Sequence, residues 1–393
     1  MQADLPPLND VSRRAWDVVV VGAGMAGPLA AHGLARQGLA VLLVDKAPLA
    51  RWKVCGACLN PFSLSVLSRA GLGDVPQRCG AVTIRTMRLA VRGRQADISL
   101  PGWKVLSRER FDAALVEAAV QAGAGFLPRT LAALGPAHPD SRTVILRQEG
   151  REERVSARLV LAADGLGGRL LAGEQGWQVV SEAASRVGAG VIAEQGPEFY
   201  REGVIYMAYG SGGYVGLVRL EDGRLNLAAA LDMTKLREVH GPGAVAAELL
   251  QEVGWPAVHD LSELPWRGTP ALTRQPVRPA SERVLAIGDS AGYVEPFTGE
   301  GMGWALASGA AVISLADQGV SDWQPVLADR WAAMHRRSAA RRQRLCRAIA
   351  WVSRHPSIAR ALVGLAAHLP WLAAPFVGKA QAASACRRSW HPA

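Results

Sequence analysis

The stretch from Asp17 to Asp45 constrains this chain more than any other. Asp17-Val-Val-Val-Val21 is a run of β-branched residues that reads as a buried strand. It runs directly into Gly22-Ala-Gly24-Met-Ala-Gly27, and a helical stretch follows at 28–37. Gly38 stops that helix, and Ala40 to Val44 forms a second apolar run that ends on Asp45. Strand, tight turn, helix and strand within about thirty residues make a βαβ unit, which calls for a parallel sheet. In such a unit the first glycine makes the turn, the second lets a pyrophosphate approach the main chain, and the third lets helix and strand pack closely. Free N–H groups and the helix dipole then favour negative charge at the helix N-terminus. Gly22, Gly24, Met25, Ala26 and Gly27 are therefore candidates for holding a dinucleotide. Asp45 is placed to accept hydrogen bonds from a ribose diol, with Lys46 beside it. The triplet alone does not say which dinucleotide.

The rest of the chain can build a body around that unit. With 393 residues, 49% hydrophobic and 20% charged, it is globular and long enough for two joined domains. Residues 81–99 alternate around Arg92-Gly93-Arg94 and read as a hairpin; Arg110 to Gly123 reads as a helix, and Thr143 to Arg147 and Val155 to Ala163 as strands. From about 176 to 275 the texture changes to short runs: Val187 to Ala193, Gly203 to Tyr209, Tyr214 to Leu220 and Arg224 to Leu231. Asp222-Gly223 joins the last two as a turn. Val284 to Ile287 returns to the first texture, and Gly301 to Leu315 reads as a helix. The expected fold is α/β, in three parts. Residues 1–175 and 276–340 form a discontinuous Rossmann-type domain, with a hairpin at about 81–105 facing the substrate domain. Residues 176–275 form an inserted antiparallel substrate sheet, and 341–393 a basic, apolar helical C-terminus.

Two later segments extend the pattern. Arg158-Leu-Val-Leu-Ala-Ala-Asp164-Gly165 and Arg283-Val-Leu-Ala-Ile-Gly288-Asp289-Ser-Ala-Gly292 are both apolar strands that end in a Gly/Asp pair. With the glycine triplet, and in this order, they resemble the three fingerprints of the flavoprotein superfamily that includes p-hydroxybenzoate hydroxylase and the geranylgeranyl reductases. The resemblance spans roughly residues 15–345 and implies FAD as the cofactor. It would place Asp289 on the ribityl chain, Asp164 and Gly165 in a cofactor-facing turn, and Arg108, in Ser107-Arg-Glu-Arg-Phe-Asp112, near the ribose and phosphates.

The finer likeness is to the geranylgeranyl reductase branch. Lys53-Val-Cys55-Gly56-Ala57 is similar to that branch's Lys-x-Cys-Gly-Gly stretch. Gly288-Asp-Ser-Ala-Gly-Tyr-Val-Glu-Pro296-Phe-Thr-Gly299-Glu300-Gly301, with Met302 after it, is similar to the loop that runs past the flavin pyrimidine ring. By this resemblance Lys53, Cys55, Gly56, Gly288, Pro296, Gly299, Glu300, Gly301 and Met302 join the cofactor-binding set, and Cys55 and Tyr214 are the candidate catalytic residues. Backbone N–H groups after Gly301 would stabilise negative charge on the reduced ring. Two departures stand out. The Ser and Arg that often follow the family's Asp-Gly pair are replaced by Gly168 and Leu171, with Arg169 shifted. The branch's Tyr-x-Trp-x-Phe-Pro stretch is Tyr214-Val-Gly-Leu-Val-Arg219 here, so only the tyrosine is kept. The tryptophan-containing signature of flavin-dependent halogenases is not evident.

Cys55 and Cys58 form a Cys-x-x-Cys, but zinc needs about four ligands, and no second pair or nearby His accompanies them, so a metal is not expected. Cys58 reads as packing, with a redox disulfide to Cys55 as the alternative. The five cysteines, at 55, 58, 79, 346 and 386, form no disulfide framework, which suits a reducing cytoplasm. Met1 to Arg14 lacks the apolar core of a signal peptide, and the run from Ala361 to Val377, broken by His368, Pro370 and Pro375, is a poor spanning helix.

The net charge of +10 is local. Of 44 Lys and Arg, eleven fall between Trp331 and Ala393, where there is no Asp or Glu, so the remainder, 33 against 34 acidic residues, is near neutral. No nucleic-acid motif accompanies this segment. Arg336, Arg337, Arg341, Arg342, Arg344 and Arg347 lead into an apolar run bearing Trp371 and Phe376. That suits an anionic membrane surface at the inner face of the membrane, or a solvated helix packed on the body. The expected activity is that of an FAD-dependent oxidoreductase acting on a hydrophobic small molecule (isoprenoid, polyketide or phenolic lipid), with NAD(P)H as donor. Reduction of a carbon–carbon double bond, as in the reductase branch, is the first form. Monooxygenation of an aromatic or polyketide substrate is the second, and a membrane-surface protein with structural FAD is the non-catalytic alternative.

Overall fold

Two eight-stranded sheets carry the molecule in the computed structural model, which describes residues 8–295, 299–338 and 356–368. In the first sheet the strand Trp16–Val21 is central. It pairs in parallel with Val41–Val44 on one side and Arg151–Ala162 on the other, with Val18 opposite both Val41 and Leu159. Gly125–Leu127 and Val284–Ala286 extend the two sides, also in parallel. Strands covered on both faces must be apolar throughout, which is why Val18, Val19, Val20, Leu159, Val160 and Leu161 have no exposed surface. The helices Ala26–Arg36, Arg108–Gln121 and Gly301–Ser321 cover one face through Leu29, Leu34, Phe111, Leu115, Leu306 and Val312. On the other face Val19, Leu42 and Val160 pack with Leu8, Val11, Val144 and Leu146.

The second sheet runs in the order Arg267–Ala271, Val187–Ala193, Leu225–Leu231, Gly213–Arg219, Val204–Gly210, Val82–Val91, Arg94–Val105 and Cys58–Leu59. Every pairing in it is antiparallel except one. Val82–Val91 lies parallel to Val204–Gly210, with Thr86 opposite Val204 and Val91 opposite Tyr209. The hairpin turned at Arg92-Gly93 is thus continuous with the 204–231 strands rather than merely facing them, and the chain from 106 to 203 is the crossover that a parallel pair needs. The helix Pro242–Glu252 covers one face, where Val245 and Leu249 meet Leu217 and Leu227. The other face, bearing Met87, Leu100, Trp103, Met207 and Tyr214, turns toward the first sheet's side of the molecule.

The helices Pro61–Arg69 and Pro242–Glu252 were not anticipated. Each begins on a proline, whose fixed φ suits the first helical turn, and Asn60 caps the former by accepting from Ser63 N at 2.9 Å. Of the C-terminal segment, the helix Pro356–His368 is described. Val363 buries against the hairpin's cluster, while Ile358, Leu362 and Leu365 are exposed at 37%, 46% and 47%. Pro296, Arg341, Arg342, Arg344, Arg347, Cys346, Trp371, Phe376 and Cys386 lie outside the described residues. Among the described residues no helix is long and apolar enough to cross a membrane.

Candidate active site

At the end of the first strand, Gly22 has a φ of +112°, and a Cβ there would lie 2.2 Å from the Ala163 carbonyl oxygen. At Gly27 a Cβ would lie 2.0 Å from the Gly22 oxygen. The strand-to-helix turn closes against its neighbour only because both side chains are absent. At Gly24 the missing Cβ opens outward instead. The groups nearest to it would be Lys53 Nζ at 3.6 Å and Arg108 Nη2 at 3.9 Å. Two cations therefore face the amino end of the helix Ala26–Arg36.

Asp112, 3% exposed, holds both cations from behind. Lys53 Nζ donates to its Oδ2 at 2.7 Å, and Arg108 donates through Nε to Oδ1 at 3.0 Å and through Nη2 to Oδ2 at 2.9 Å. Arg108 opens a helix capped by Ser107, and Asp112 lies one turn further along it. Burial pushes the Lys53 ammonium below its ordinary range against the pull of Asp112. Burial acts upward on the Asp112 carboxyl, but Arg108 and Lys53 outweigh it and hold the group down. One carboxylate between two cations leaves a positive surplus, and an anion in front of them would neutralise it.

Asp45 ends its strand with Oδ2 accepting from Ala23 N at 2.7 Å and Oδ1 from Ala47 N at 2.8 Å, with Arg51 Nη2 at 3.4 Å. The amides fix the carboxylate, and each oxygen keeps acceptor capacity for a sugar hydroxyl. Asp164 accepts from Leu170 N at 2.9 Å, and burial raises its carboxyl above the usual range. At Gly168 a Cβ would lie 2.3 Å from Asp164 Cγ, so the glycine that replaces the family's serine lets this loop fold back over the carboxylate. Asp289 follows the strand Val284–Ala286 on a short 3₁₀ turn, Gly288–Ala291. A strip of its surface faces open space, yet protein surrounds the carboxyl, and burial pushes it up to about 6 against Arg108 and Lys53. These groups wall a cleft of about 680 Å³.

A second cavity, of about 220 Å³, adjoins the first. Its walls are Met87, Leu100, Trp103, Ile205, Met207, Tyr214, Leu272 and Tyr293, and it shares Val54, Leu166 and Asp289 with the cleft. No Lys or Arg lines it among the described residues. Cys55 and Gly56 form part of its wall, and Asn226 Nδ2 donates to the Cys55 carbonyl at 2.9 Å, tying that loop to the second sheet. Arg108 also reaches the Cys55 thiol. The Cys58 thiol donates to Gly56 O at 2.9 Å, and burial, with Cys55 nearby, pushes it to about 12, so Cys58 stays a neutral packing group.

The expected residues divide between these spaces. Gly22, Gly24, Met25, Ala26, Asp45, Lys46, Lys53, Arg108, Asp164, Gly165, Gly288 and Asp289 wall the cleft, and Cys55, Gly56, Tyr214 and Gly299 wall the pocket. Gly27, Glu300, Gly301 and Met302 wall neither. Gly27 supports the turn, Glu300 and Gly301 begin a helix, and Met302 is buried in the core. Sequence reasoning missed Asp112, Arg51, Asn226 and the Met207–Trp103 wall. Asp112 had a signal, its spacing of four from Arg108 on a capped helix. Asn226 had none.

Comparison with known proteins bears on this geometry. A family model described as "FAD binding domain" matches residues 15–314. The chain belongs to this FAD-binding family. Menaquinone reductase of Mycobacterium tuberculosis is 28% identical over 338 residues, 80% of either chain. Digeranylgeranylglycerophospholipid reductase 2 of Methanopyrus kandleri is 29% identical over 325 residues, 78% of either chain. The structure of p-nitrophenol 4-monooxygenase PnpA from Pseudomonas putida superposes with a TM-score of 0.76 at 15% identity, over 95% of this chain and 99% of that one, and shows the same fold. The protein is an FAD-dependent oxidoreductase similar to the geranylgeranyl reductase branch. The cleft suits the cofactor: Gly24 leaves a cradle that a Cβ would fill, and two half-buried cations face it.

Proposed function

We propose that this enzyme reduces a carbon–carbon double bond in a hydrophobic small molecule (an isoprenoid, polyketide or phenolic lipid), with electrons drawn from NAD(P)H. The observation that carries the reading is the junction of two unlike spaces. An apolar pocket with no basic side chain on its described wall opens at Val54, Leu166 and Asp289 into a cleft suited to a charged dinucleotide. The relatives' names, a menaquinone reductase and a digeranylgeranylglycerophospholipid reductase, support a polyprenyl-bearing substrate.

In this reading residues 1–175 and 276–340 hold FAD, and 176–275, together with the hairpin at 81–105, hold the substrate. Gly22, Gly24, Met25 and Ala26, with Lys53 and Arg108, would bind the pyrophosphate; Asp45 and Lys46 would bind the adenosine ribose, and Asp289 the ribityl chain. Gly165 and Gly288 would let the cofactor approach the backbone, and Gly56 and Gly299, both on the pocket wall, would face its ring. When bound, FAD supplies two-electron redox chemistry. Tyr214 Oη would hold the proton that saturation of a double bond requires, and Cys55 would shape the wall between substrate and cofactor. The methionines, leucines and Trp103 would exclude water.

The loss of the Trp and Phe-Pro after Tyr214 favours a second reading, monooxygenation of an aromatic or polyketide substrate. One anaerobic experiment separates them. The FAD-loaded chain is reduced with NADPH and mixed with menaquinone-4 or geranylgeraniol. Flavin reoxidation with a saturated product and no oxygen supports the reductase; product formation only once O₂ is admitted overturns it. We further propose that the helix Pro356–His368 rests on an anionic lipid surface, because Ile358, Leu362 and Leu365 form one exposed stripe in the acid-free segment. Failure to co-sediment with phosphatidylglycerol vesicles would refute that.

A further inference from the structure

An ionic network centred on the buried Arg186 and Glu295 ties the pocket wall to the segment Tyr293–Glu295. Arg186, 2% exposed, stands just before the strand Val187–Ala193. Its Nε lies 3.1 Å from Asp232 Oδ1, and its Nη1 lies 3.2 Å from Glu295 Oε1. Glu295 is itself buried. The guanidinium carbon lies over the Tyr214 ring, 5.7 Å from its centroid, within cation–π range. Tyr214 packs on Tyr209 with ring centroids 4.9 Å apart.

The backbone closes the same circuit. Leu272 N donates to Arg186 O at 2.8 Å, Glu295 N donates to Thr273 Oγ1 at 3.3 Å, and Arg274 and Tyr293 exchange main-chain bonds of 2.8 and 2.9 Å. A buried cation between carboxylates is a weak source of stability, since apolar residues of the same volume would serve as well. What a planar fork supplies is a single geometry: its nitrogens are committed to carboxylates on two different segments while its carbon lies over the Tyr214 ring.

We propose that Arg186 is a positioning residue for the reaction, holding the Tyr214 phenol in register with the Tyr293–Glu295 segment. It lines neither the cleft nor the pocket itself. The inference deepens the proposed function, and only its turnover measurement rests on that reading.

The test uses the full chain loaded with FAD and the variants Arg186→Lys, Glu295→Gln, their combination, and Tyr214→Phe. Lysine keeps the charge but loses the fork. The first measurement needs no substrate: the near-ultraviolet circular dichroism that Tyr214→Phe removes from the Tyr209–Tyr214 pair. Arg186→Lys, Glu295→Gln and the double variant should perturb that band equally, with FAD content unchanged. An unaltered band, or changes that add, would overturn the proposal. Should Arg186→Lys fail to fold, Glu295→Gln, which leaves the Asp232 contact, decides the matter alone.

The second measurement is turnover of menaquinone-4 and geranylgeraniol. Tyr214→Phe and Arg186→Lys should each lower kcat about tenfold with KM changed less than about twofold, and adding Tyr214→Phe to Arg186→Lys should cost under about twofold more. A purely structural Arg186 would give additive losses, which sinks the idea. If the unaltered enzyme turns over neither probe, the proposed function has failed, and the dichroism result alone judges Arg186.

Discussion

The cleft beside the first sheet and the pocket on the second meet at three residues, yet they are made of different materials. The cleft is shaped by backbone: two absent side chains at Gly22 and Gly27, a carboxylate fixed by amides at Asp45, and cations locked to Asp112. The pocket is shaped by the ends of side chains, among them Met87, Met207 and Leu100, which can shift by rotamer. Backbone-built sites tolerate little substitution; side-chain-built sites can be remodelled while the fold stays. The contrast teaches why a cofactor site can be shared by proteins whose substrates differ.

Four experiments would break or sharpen that contrast. Gly27→Val should have the largest effect, because backbone at 2.0 Å from the new Cβ cannot yield; we expect a colourless or unfolded chain, with at least about 3 kcal/mol lost. Flavin absorbance after purification checks it. Asp112→Asn should come next, costing the flavin-free chain about 3 kcal/mol by leaving Lys53 and Arg108 poorly compensated. The loss should shrink when FAD is bound, since its phosphates would face the same cations; denaturant unfolding with and without FAD measures the difference. An equal loss in both states would argue against the pyrophosphate seat.

Asp289→Asn should act through pH. The folded carboxyl sits at about 6, above its ordinary value near 4, so its contribution to the flavin-free chain is full in acid and fades as pH rises through 6. Unfolding of the unaltered protein should therefore lose at most about 3 kcal/mol relative to the variant between pH 4 and 6, and no more above. If Asp289 binds FAD as the carboxylate, affinity should fall as pH drops below 6, and the variant should lack that dependence. Gly216→Leu should have the smallest effect on the fold, because the one tight contact of its Cβ is the flexible Met207 sulfur, at 2.8 Å, while the Ala228 oxygen lies at an ordinary 3.6 Å. We expect about 1–2 kcal/mol of overpacking, with full FAD content and a weakened hold on bulky substrates, read as a raised KM.

The same contrast governs how much could be read from the residues in advance. The βαβ unit and the Asp-Gly strand ends were legible because turn, cap and strand are local, and the strand Val187–Ala193 falls where the apolar run placed it. The hairpin at Arg92-Gly93 was legible for the same reason. Its parallel partner at Val204–Gly210 was not, since a pairing bridged by about a hundred residues leaves no turn signature. Asn226 on Cys55 and Glu295 on Arg186 are likewise separated by 171 and 109 positions. The division of residues between cleft and pocket depends on just such distant pairings.

That parallel pairing also bears on how the protein could diversify. Because Val82–Val91, from the stretch before 176, pairs with Val204–Gly210 in the second sheet, that sheet is not a cassette. Transplanting 176–275 alone from a relative would strip one strand of its neighbour and leave a raw edge. Chimaeras should fold only when the 82–105 hairpin travels with the graft, so new specificities are more readily reached by point changes on the pocket wall than by recombination.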